Sequence, residues 1–133
     1  MRIVFDANIF VSAAIAQGPS HRAVQAVTLS EHHHAIVCPT LLEEVEDVLS
    51  RPRLLKRVGQ DHARRYLNDL RIMTTRVPDP IDIGTHTRDP DDDYLIALAR
   101  EHNADYIVTG DKDLLEWPEQ RPPAVTPAAF ETS

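Results

Sequence analysis

The sequence predicts an α/β fold in which helices cover both faces of a central parallel sheet, giving a three-layer α/β/α sandwich. Short apolar runs at residues 3–5 and 35–38 are typical of parallel strands that are buried on both faces. These runs alternate along the chain with segments of helical periodicity. A length of 133 residues with 42% hydrophobic residues suits one core, so we expect a single domain over residues 1–133.

The first strand and the two helices after it follow from the N-terminal residues. The strand "IVF" ends at Asp6, and an Ala- and Ile-rich stretch, residues 8–16, is expected to be a helix. The sequence "QGPS" ends that helix, because Gly and Pro both disfavour helix interiors. Ser20 is then the expected N-cap of a second helix near residues 21–30.

The second strand, at residues 35–38, is followed by a third predicted helix. Thr40 and Glu43 have the spacing of a capping box, in which the two side chains satisfy free amide groups at a helix start. The apolar stripe that follows predicts a helix to about Ser50, and we expect Pro52 to end it.

The second half of the chain repeats the alternation of helices and strands. An Arg-rich helical segment is followed by the short strand "TTRV", a loop broken by prolines, a helix, the strand "YIVT", a turn at Gly110 and a short helix. The expected ranges are 60–73 and 92–102 for the two longer helices and 106–109 for the strand. The segment "PPAVTPAAF" predicts one last strand and a terminal helix.

Composition narrows the class of protein. The net charge of −7 argues against the basic surface that most nucleic-acid binders carry. Cys38 is the only cysteine, so one chain forms neither a disulfide framework nor a cysteine-based zinc site, which suits a reducing cytoplasm. No apolar run approaches 18 residues, and Asp6 interrupts the apolar N-terminus, so neither a membrane span nor a signal peptide is expected.

Acidic residues follow the predicted strands. Asp6 ends the first strand, Asp111 follows "YIVT" after one glycine, and Glu44 lies near the start of the helix after the second strand. Since functional clefts of parallel sheets lie beyond the carboxyl ends of the strands, we expect these three side chains to lie at one edge of the sheet.

The stretch "RDPDDDYLIALA" adds four acids at the start of a helix. At 100° per residue, Asp92 lies in the middle of the apolar stripe and is expected to point inward. Asp91 and Asp93 fall at the borders of that stripe, which suits carboxylates that are solvated or that support a metal ligand without touching the ion. For these two and for Asp89, a simpler explanation is that negative charge stabilises a helix N-terminus by about 0.3 to 1 kcal/mol. For Asp92, burial without a cation or hydrogen bonds is unfavourable, which favours a functional role.

Helical periodicity leaves two candidates for the acid of the third helix. Its apolar stripe centres on Val45, so Glu44 and Glu46 lie on opposite borders of the buried face, while Glu43 and Asp47 face solvent. The pattern does not choose between Glu44 and Glu46.

Converging carboxylates repel one another unless a positive charge lies among them, and a divalent cation is the simplest source. An all-oxygen site without cysteine matches hard ions, Mg²⁺ or Mn²⁺, which also accept phosphate oxygens as ligands. The chemistry expected of such a site is metal-assisted attack of water on a phosphodiester. Because metal neutralises part of the acidic excess, the net charge misrepresents the surface that RNA meets.

The segments "IVFDANIF", "CPTLLEEVEDVLSRPRL", "RDPDDDYLIALAREHNADYIVTGDKDLL" and "VTPAAF" resemble the PIN-domain ribonucleases, in particular the VapC-like toxins of bacterial toxin-antitoxin pairs. The resemblance covers nearly the whole chain and aligns the family's catalytic and metal-binding acids with Asp6, Glu44, Asp92 and Asp111. It implies a five-stranded parallel sheet, an endoribonuclease dependent on Mg²⁺ or Mn²⁺, a homodimer, and an antitoxin protein that occludes the cleft.

Four further residues are supporting candidates, each with a purely structural alternative. Asn8 is placed to fix Asp6 or a metal-bound water, or to cap a helix. Thr40 and Thr109 occupy places where the family often has a hydroxyl near the metal, but they equally suit a cap and a strand end. Asp113 either supports Asp111 or stabilises a helix N-terminus.

The segment 51–65 concentrates six of the 14 basic residues. These side chains suit a rim that contacts RNA phosphates, and a solvated helical hairpin explains them equally well. Two rivals to the ribonuclease hypothesis stay open. One is an aspartate-based phosphoryl hydrolase, although Asn8 stands where that class has a second Asp, and the other is a non-catalytic binding module with the same fold.

Overall fold

The computed structural model describes residues 1–84 and 90–131, apart from the side chain of Asp91. The strands are β1 (Arg2–Phe5), β2 (His34–Val37), β3 (Thr75–Arg76), β4 (Tyr106–Val108) and β5 (Ala124–Val125). The helices are α1 (Ala7–Ile15), α2 (Pro19–Thr28), α3 (Pro39–Leu49), α4 (Pro52–Val58), α5 (Gln60–Met73), α6 (Pro90–Glu101), α7 (Lys112–Leu115) and α8 (Pro127–Glu131). Asp89 and the side chain of Asp91 lie outside the described residues.

The five strands form one sheet in the order β3-β2-β1-β4-β5, and every neighbouring pair is parallel. The chain moves from β1 through β2 to β3 in one direction across the sheet and then returns to β4 and β5 in the other. Right-handed crossovers therefore place α1–α5 on one face and α6 and α7 on the opposite face. This arrangement confirms the predicted α/β/α sandwich with a five-stranded parallel sheet.

The core forms around the two central strands. Ile3, Val4 and Phe5 of β1 and the apolar residues 35–37 of β2 are buried, as the uninterrupted apolar runs predict. Phe5 contacts the rings of Phe10 and Phe130, with ring centroids 5.3 and 6.5 Å apart respectively. Among the described residues, no helix is long and apolar enough to cross a membrane.

Proline begins five of the helices. The first residues of α2, α3, α4, α6 and α8 are Pro19, Pro39, Pro52, Pro90 and Pro127. The first helical position lacks an intrahelical partner for its amide, so the missing N–H of proline is harmless there and its fixed φ favours the helix. The sequence-based boundaries were therefore wrong by one or two residues, and Pro52 begins the unpredicted helix α4 in addition to closing the segment before it.

Two predicted caps were also wrong. The N-cap of α2 is Gly18, so Ser20 lies inside the helix. The N-cap of α3 is Cys38, so Thr40 occupies the second helical position and its pattern with Glu43 is not a capping box. In both helices the proline is the first helical residue, and it precedes the polar residue that was predicted as the cap.

Helix α6 is buried on more than one face. Asp93 is 5% exposed, so of the two alternatives for this border position the solvated side chain was wrong. Asp93 shares a face with Ala97, one turn further on, and Ala97 lines a pocket together with Ile81 and Ile83 of the loop after β3. The amide of Ile81 donates to Oε2 of Glu101, at 3.3 Å. This loop therefore contacts the C-terminal part of α6, a contact that no sequence period reveals.

Candidate active site

The register of β1 and β4 brings Asp6 and Thr109 together at the carboxyl edge of the sheet. Phe5 pairs with Val108, so the residues that follow them are neighbours across the two strands. The Asp6 amide donates to the carbonyl oxygen of Val108, at 2.9 Å. This bond extends the hydrogen bonding between β1 and β4 by one residue. The predicted position of Asp6 at this edge is confirmed.

Thr109 connects two of the predicted acids. Its side chain is fully buried, and its hydroxyl donates to Oδ2 of Asp6 at 2.9 Å. The same hydroxyl oxygen accepts from the amide of Asp111 at 3.0 Å. Oδ1 of Asp111 in turn accepts from the amide of Asp113 at 2.9 Å, which makes Asp111 the N-cap of α7. A continuous hydrogen-bonded path thus runs from Asp6 to Asp113.

Three carboxylates converge beside this path. Asp92, Asp111 and Asp113 each place one carboxylate oxygen within 4.8 Å of the other two. Asp92 is 5% exposed, so its predicted inward orientation is confirmed, while Asp111 is half-buried and Asp113 exposed. Asp113, predicted only as a supporting residue, is thus a full member of the acidic group.

Asp6 and Glu44 lie outside that group of three. Asp6 remains linked to Asp111 through Thr109, whereas Glu44 belongs to α3 on the other side of β1. The structure does distinguish Glu44 from Glu46, since Glu44 is half-buried and Glu46 is exposed and paired with Arg71 at 3.2 Å. Glu43 and Asp47 are exposed, as predicted.

A second polar cluster lies between Glu44 and α6, and the sequence did not indicate it. Sγ of Cys38, at the end of β2, lies 2.7 Å from the hydroxyl oxygen of Tyr94, in a buried contact. Burial raises the pKa of the Cys38 thiol to about 11. Burial also raises the pKa of Tyr94, as do its bond to Cys38 and the negative charges of Asp79 and Glu44. These effects place Glu44 within electrostatic range of the helix that carries Asp92.

Thr40 contacts a residue of the loop after β3, Asp79. Its amide donates to Oδ1 of Asp79 at 2.9 Å, and its hydroxyl donates to Oδ2 at 2.8 Å. The hydrogen bond from the Thr40 amide lowers the pKa of Asp79. Asp79 thus supplies the cap that the sequence assigned to Thr40, from 39 residues further along the chain. No periodic pattern marks this residue, because it lies in an irregular loop rich in proline.

Asn8 holds Asp6 through its backbone. Its amide donates to Oδ1 of Asp6 at 3.1 Å, and Asp6 is the N-cap of α1. The alternative in which Asn8 itself caps the helix was therefore wrong. The exposed Asn8 side chain stays a candidate for contact with a ligand at the same edge.

A groove of about 1300 Å³ lies between α3, α5 and β3. In the described part of the chain its lining contains Glu43 and Glu46 but none of the four acids aligned with the family. The acidic group therefore lies at the sheet edge outside this groove.

The donor set at the edge fits a hard divalent cation. All its side-chain donors are oxygens, three carboxylates converge, and the buried Asp92 places negative charge where water is largely excluded. Mg²⁺ and Mn²⁺ favour such ligands, and they offset the repulsion among the carboxylates. The arrangement can therefore hold a cation and leave its remaining positions to water and phosphate oxygens.

Comparison with known proteins agrees with this geometry. Among solved structures, the chain is similar to VapBC2 from Rickettsia felis, which was crystallised with a DNA fragment from the VapBC2 promoter. The TM-score is 0.65 and the sequence identity is 11%, and the match covers 95% of this chain and 98% of that chain. No curated protein matches the sequence significantly. A family model described as PIN domain matches residues 2–113. Since this match spans well over half of the sequence, the chain belongs to the PIN domain family.

Proposed function

We propose that this protein is a divalent-metal-dependent endoribonuclease that hydrolyses RNA phosphodiesters, and that it is the toxin of a toxin-antitoxin pair. PIN domains are nucleases, and the observation that supports the activity in this chain is the convergence of Asp92, Asp111 and Asp113 beside Asp6. We take residues 1–133 as one catalytic domain, working in the reducing cytoplasm, where Cys38 stays a free thiol.

In this proposal Asp92, Asp111 and Asp6 hold Mg²⁺ or Mn²⁺, with Asp113 and Glu44 adding negative charge around them. A bound divalent ion supplies activation of a water molecule and stabilisation of the negative charge that develops on the phosphate. Thr109 fixes the carboxylate of Asp6 and the backbone of Asp111, so these two metal ligands are oriented before substrate arrives. The amide of Asp113 holds Asp111 in the same way.

Glu44 and Asn8 flank this centre and are proposed to act on substrate or on water. Glu44 is half-buried on α3, on the side of the sheet edge opposite Asp113. Asn8 is exposed next to Asp6 and presents an amide that can hydrogen-bond a phosphate or a water molecule.

The proposed partners follow from the family and from the solved relative. The similarity to VapBC2 supports a cognate antitoxin for this chain, which we propose to cover the carboxyl edge of the sheet. We also propose a homodimer, as the VapC-like resemblance implies.

The direct test is cleavage of a mixed RNA substrate with increasing Mg²⁺ or Mn²⁺, with product ends mapped by sequencing. Asp92→Asn and Asp6→Asn should abolish metal-dependent cleavage while circular dichroism shows a native fold. Asp69→Asn is the matched control, because Asp69 is exposed on α5 and loses the same charge. RNA binding without cleavage by the unmodified chain would support the binding module, and hydrolysis of small phosphate esters that survives Asn8→Ala would support the phosphoryl hydrolase.

A further inference from the structure

Helices α4 and α5 form a basic hairpin, defined here as residues 51–65, on an acidic protein. It contains six of the 14 basic residues of the chain but only one of the 21 acidic residues, Asp61. The rest of the chain is therefore strongly acidic, and positive potential is concentrated on this one feature. Such segregation of charge directs a polyanion to one part of a surface.

The cations of the hairpin are exposed and largely unneutralised. The six side chains are Arg51, Arg53, Lys56, Arg57, Arg64 and Arg65, all exposed. Arg51 pairs with Asp47 at 3.7 Å, and within the described ranges the other five take part in no ion pair. Asp61, the one acid of the hairpin, lies near Arg64 and Arg65, so the six cations keep a large excess of positive charge for phosphate.

The turn of the hairpin lies at the carboxyl edge of the sheet. Helix α5 leads into β3, so it runs antiparallel to the strands and its first residues lie toward that edge. The Tyr66 hydroxyl donates to the carbonyl oxygen of Phe10 at 2.6 Å, which places Tyr66 beside the second turn of α1, about 6 Å along the helix from Asp6. Gly59 precedes Tyr66 by seven residues, about 10 Å along the axis, so the turn lies further toward the carboxyl edge than Tyr66 does.

The backbone at the turn is specialised. Gly59 has a φ of 88°, a conformation that L-residues with a side chain rarely adopt, and it ends α4 and begins α5. Arg57 lies two residues before it, and Arg64 and Arg65 follow within two helical turns. The glycine thus joins two helices that carry three exposed arginines close to one exposed turn.

We propose that this hairpin binds the RNA backbone through phosphates and holds it across the acidic group. The inference rests on the proposed ribonuclease function. Carboxylates alone repel RNA, so a substrate-binding surface beside them needs cations, and guanidinium groups bind phosphate oxygens in pairs. The same arrangement explains how a protein with a net charge of −7 takes a polyanionic substrate.

The test uses the full chain in EDTA, where metal-dependent cleavage is absent, and a fluorescein-labelled single-stranded RNA followed by anisotropy from 50 to 300 mM KCl. Each phosphate contact on a single strand contributes roughly 0.7 to the slope of log Kd against log salt. The triple variant Arg57→Gln, Arg64→Gln, Arg65→Gln should lower that slope by about 2 and weaken binding at low salt by about tenfold or more. The triple variant to lysine keeps the charges and should keep the slope.

Arg22→Gln serves as the control for position, because Arg22 is an exposed cation on α2, paired with Glu131. An unchanged slope in the glutamine variant, or an equal fall in the Arg22 variant, would overturn the inference. The inference would also be overturned if the glutamine variant kept its RNA affinity but lost binding of polyglutamate. That result would assign the hairpin to an acidic protein partner. Cleavage by the unmodified chain in Mn²⁺ is measured separately. A chain that never cleaves RNA but shows the expected slopes would refute the ribonuclease and leave the phosphate surface standing.

Discussion

The Thr109 hydroxyl donates a hydrogen bond of 2.9 Å to Oδ2 of Asp6 and joins two neighbouring strands at the point where both end. The bond exists because the β1–β4 register makes the two residues neighbours. Since the same oxygen accepts from the Asp111 amide, one buried side chain orients two of the proposed metal ligands. Thr109 is therefore a positioning residue for the acidic group rather than only a strand terminus.

Thr109→Val should lower the metal affinity while keeping the fold. Valine has nearly the same shape but leaves the Asp111 amide and an Asp6 oxygen without this partner, and loss of such a supporting bond typically lowers metal affinity or activity by about 10- to 100-fold. The measurement is the Mn²⁺ concentration that gives half-maximal cleavage, with urea unfolding to monitor stability. Thr109→Ser restores the hydroxyl and should recover most of the affinity. Equal metal dependence in the valine variant would contradict the positioning role.

Asp113→Asn should weaken metal binding more than Glu44→Gln does. Asp113 lies within 4.8 Å of Asp92 and Asp111 through its carboxylate oxygens, whereas Glu44 lies outside that group. Coulomb energy falls with distance, so neutralising the nearer carboxylate removes more attraction for a cation. Isothermal titration with Mn²⁺ in the absence of RNA checks the order. The reverse order would place the ion nearer to α3 and closer to the assignment that the family alignment implies.

The parallel sheet and the position of the acids could be predicted because both follow from short-range patterns. Uninterrupted apolar runs marked β1 and β2, and each acid lay close to a strand end or within the first two turns of a helix. Helical periodicity likewise placed Asp92 on the inner face, where the structure has it. These features depend only on local sequence and on the rule that parallel strands share one carboxyl edge.

The remaining features depend on contacts between distant parts of the chain. Asp79 caps α3 from a loop without periodicity, and that same loop contacts the C-terminal part of α6. Asp93 lies at the border of the helical apolar stripe, yet the folded chain buries it. The contact between Cys38 and Tyr94 joins residues 56 apart. Helix α4 was missed for a local reason, because Pro52 stops one helix and equally well starts another.

Asp79→Ala should destabilise the protein by about 0.5 to 2 kcal/mol at pH 7, the usual range for loss of an N-terminal cap. Asp79 accepts hydrogen bonds from both the amide and the hydroxyl of Thr40. The bond from the amide lowers the pKa of Asp79. A carboxyl whose pKa is lower in the folded state contributes stability above its unfolded pKa, near 4, and loses that contribution as the pH falls through the folded value. The difference between wild type and variant should therefore shrink on acidification from pH 7 to pH 3. Urea unfolding measures it, and Asp82→Ala, an exposed residue of the same loop, should show little change at either pH.

The buried Cys38 thiol should make the protein lose stability as the pH rises from 8 to 10. Its pKa is raised from 9.0 to about 11 by burial, so the unfolded chain releases this proton first and alkaline pH favours unfolding. With 1.36 kcal/mol per pKa unit, the loss attributable to Cys38 at pH 10 is about 1 kcal/mol. Stability is unaffected by this group below about pH 8, where both states keep the proton.

Cys38→Ser isolates this contribution, because serine can keep a hydrogen bond to Tyr94 but does not titrate in this range. The variant should differ from wild type by a constant amount below pH 8 and gain relative stability of about 1 kcal/mol by pH 10. Burial also raises the pKa of Tyr66, and this tyrosine contributes equally to both proteins, so it cancels in the difference. Alkylation of the native thiol by iodoacetamide at pH 8 should be slow for the same reason, since little thiolate is present. Parallel pH curves for the two proteins, together with rapid native alkylation, would mean that the thiol is reached by water and that its contact with Tyr94 opens readily in solution.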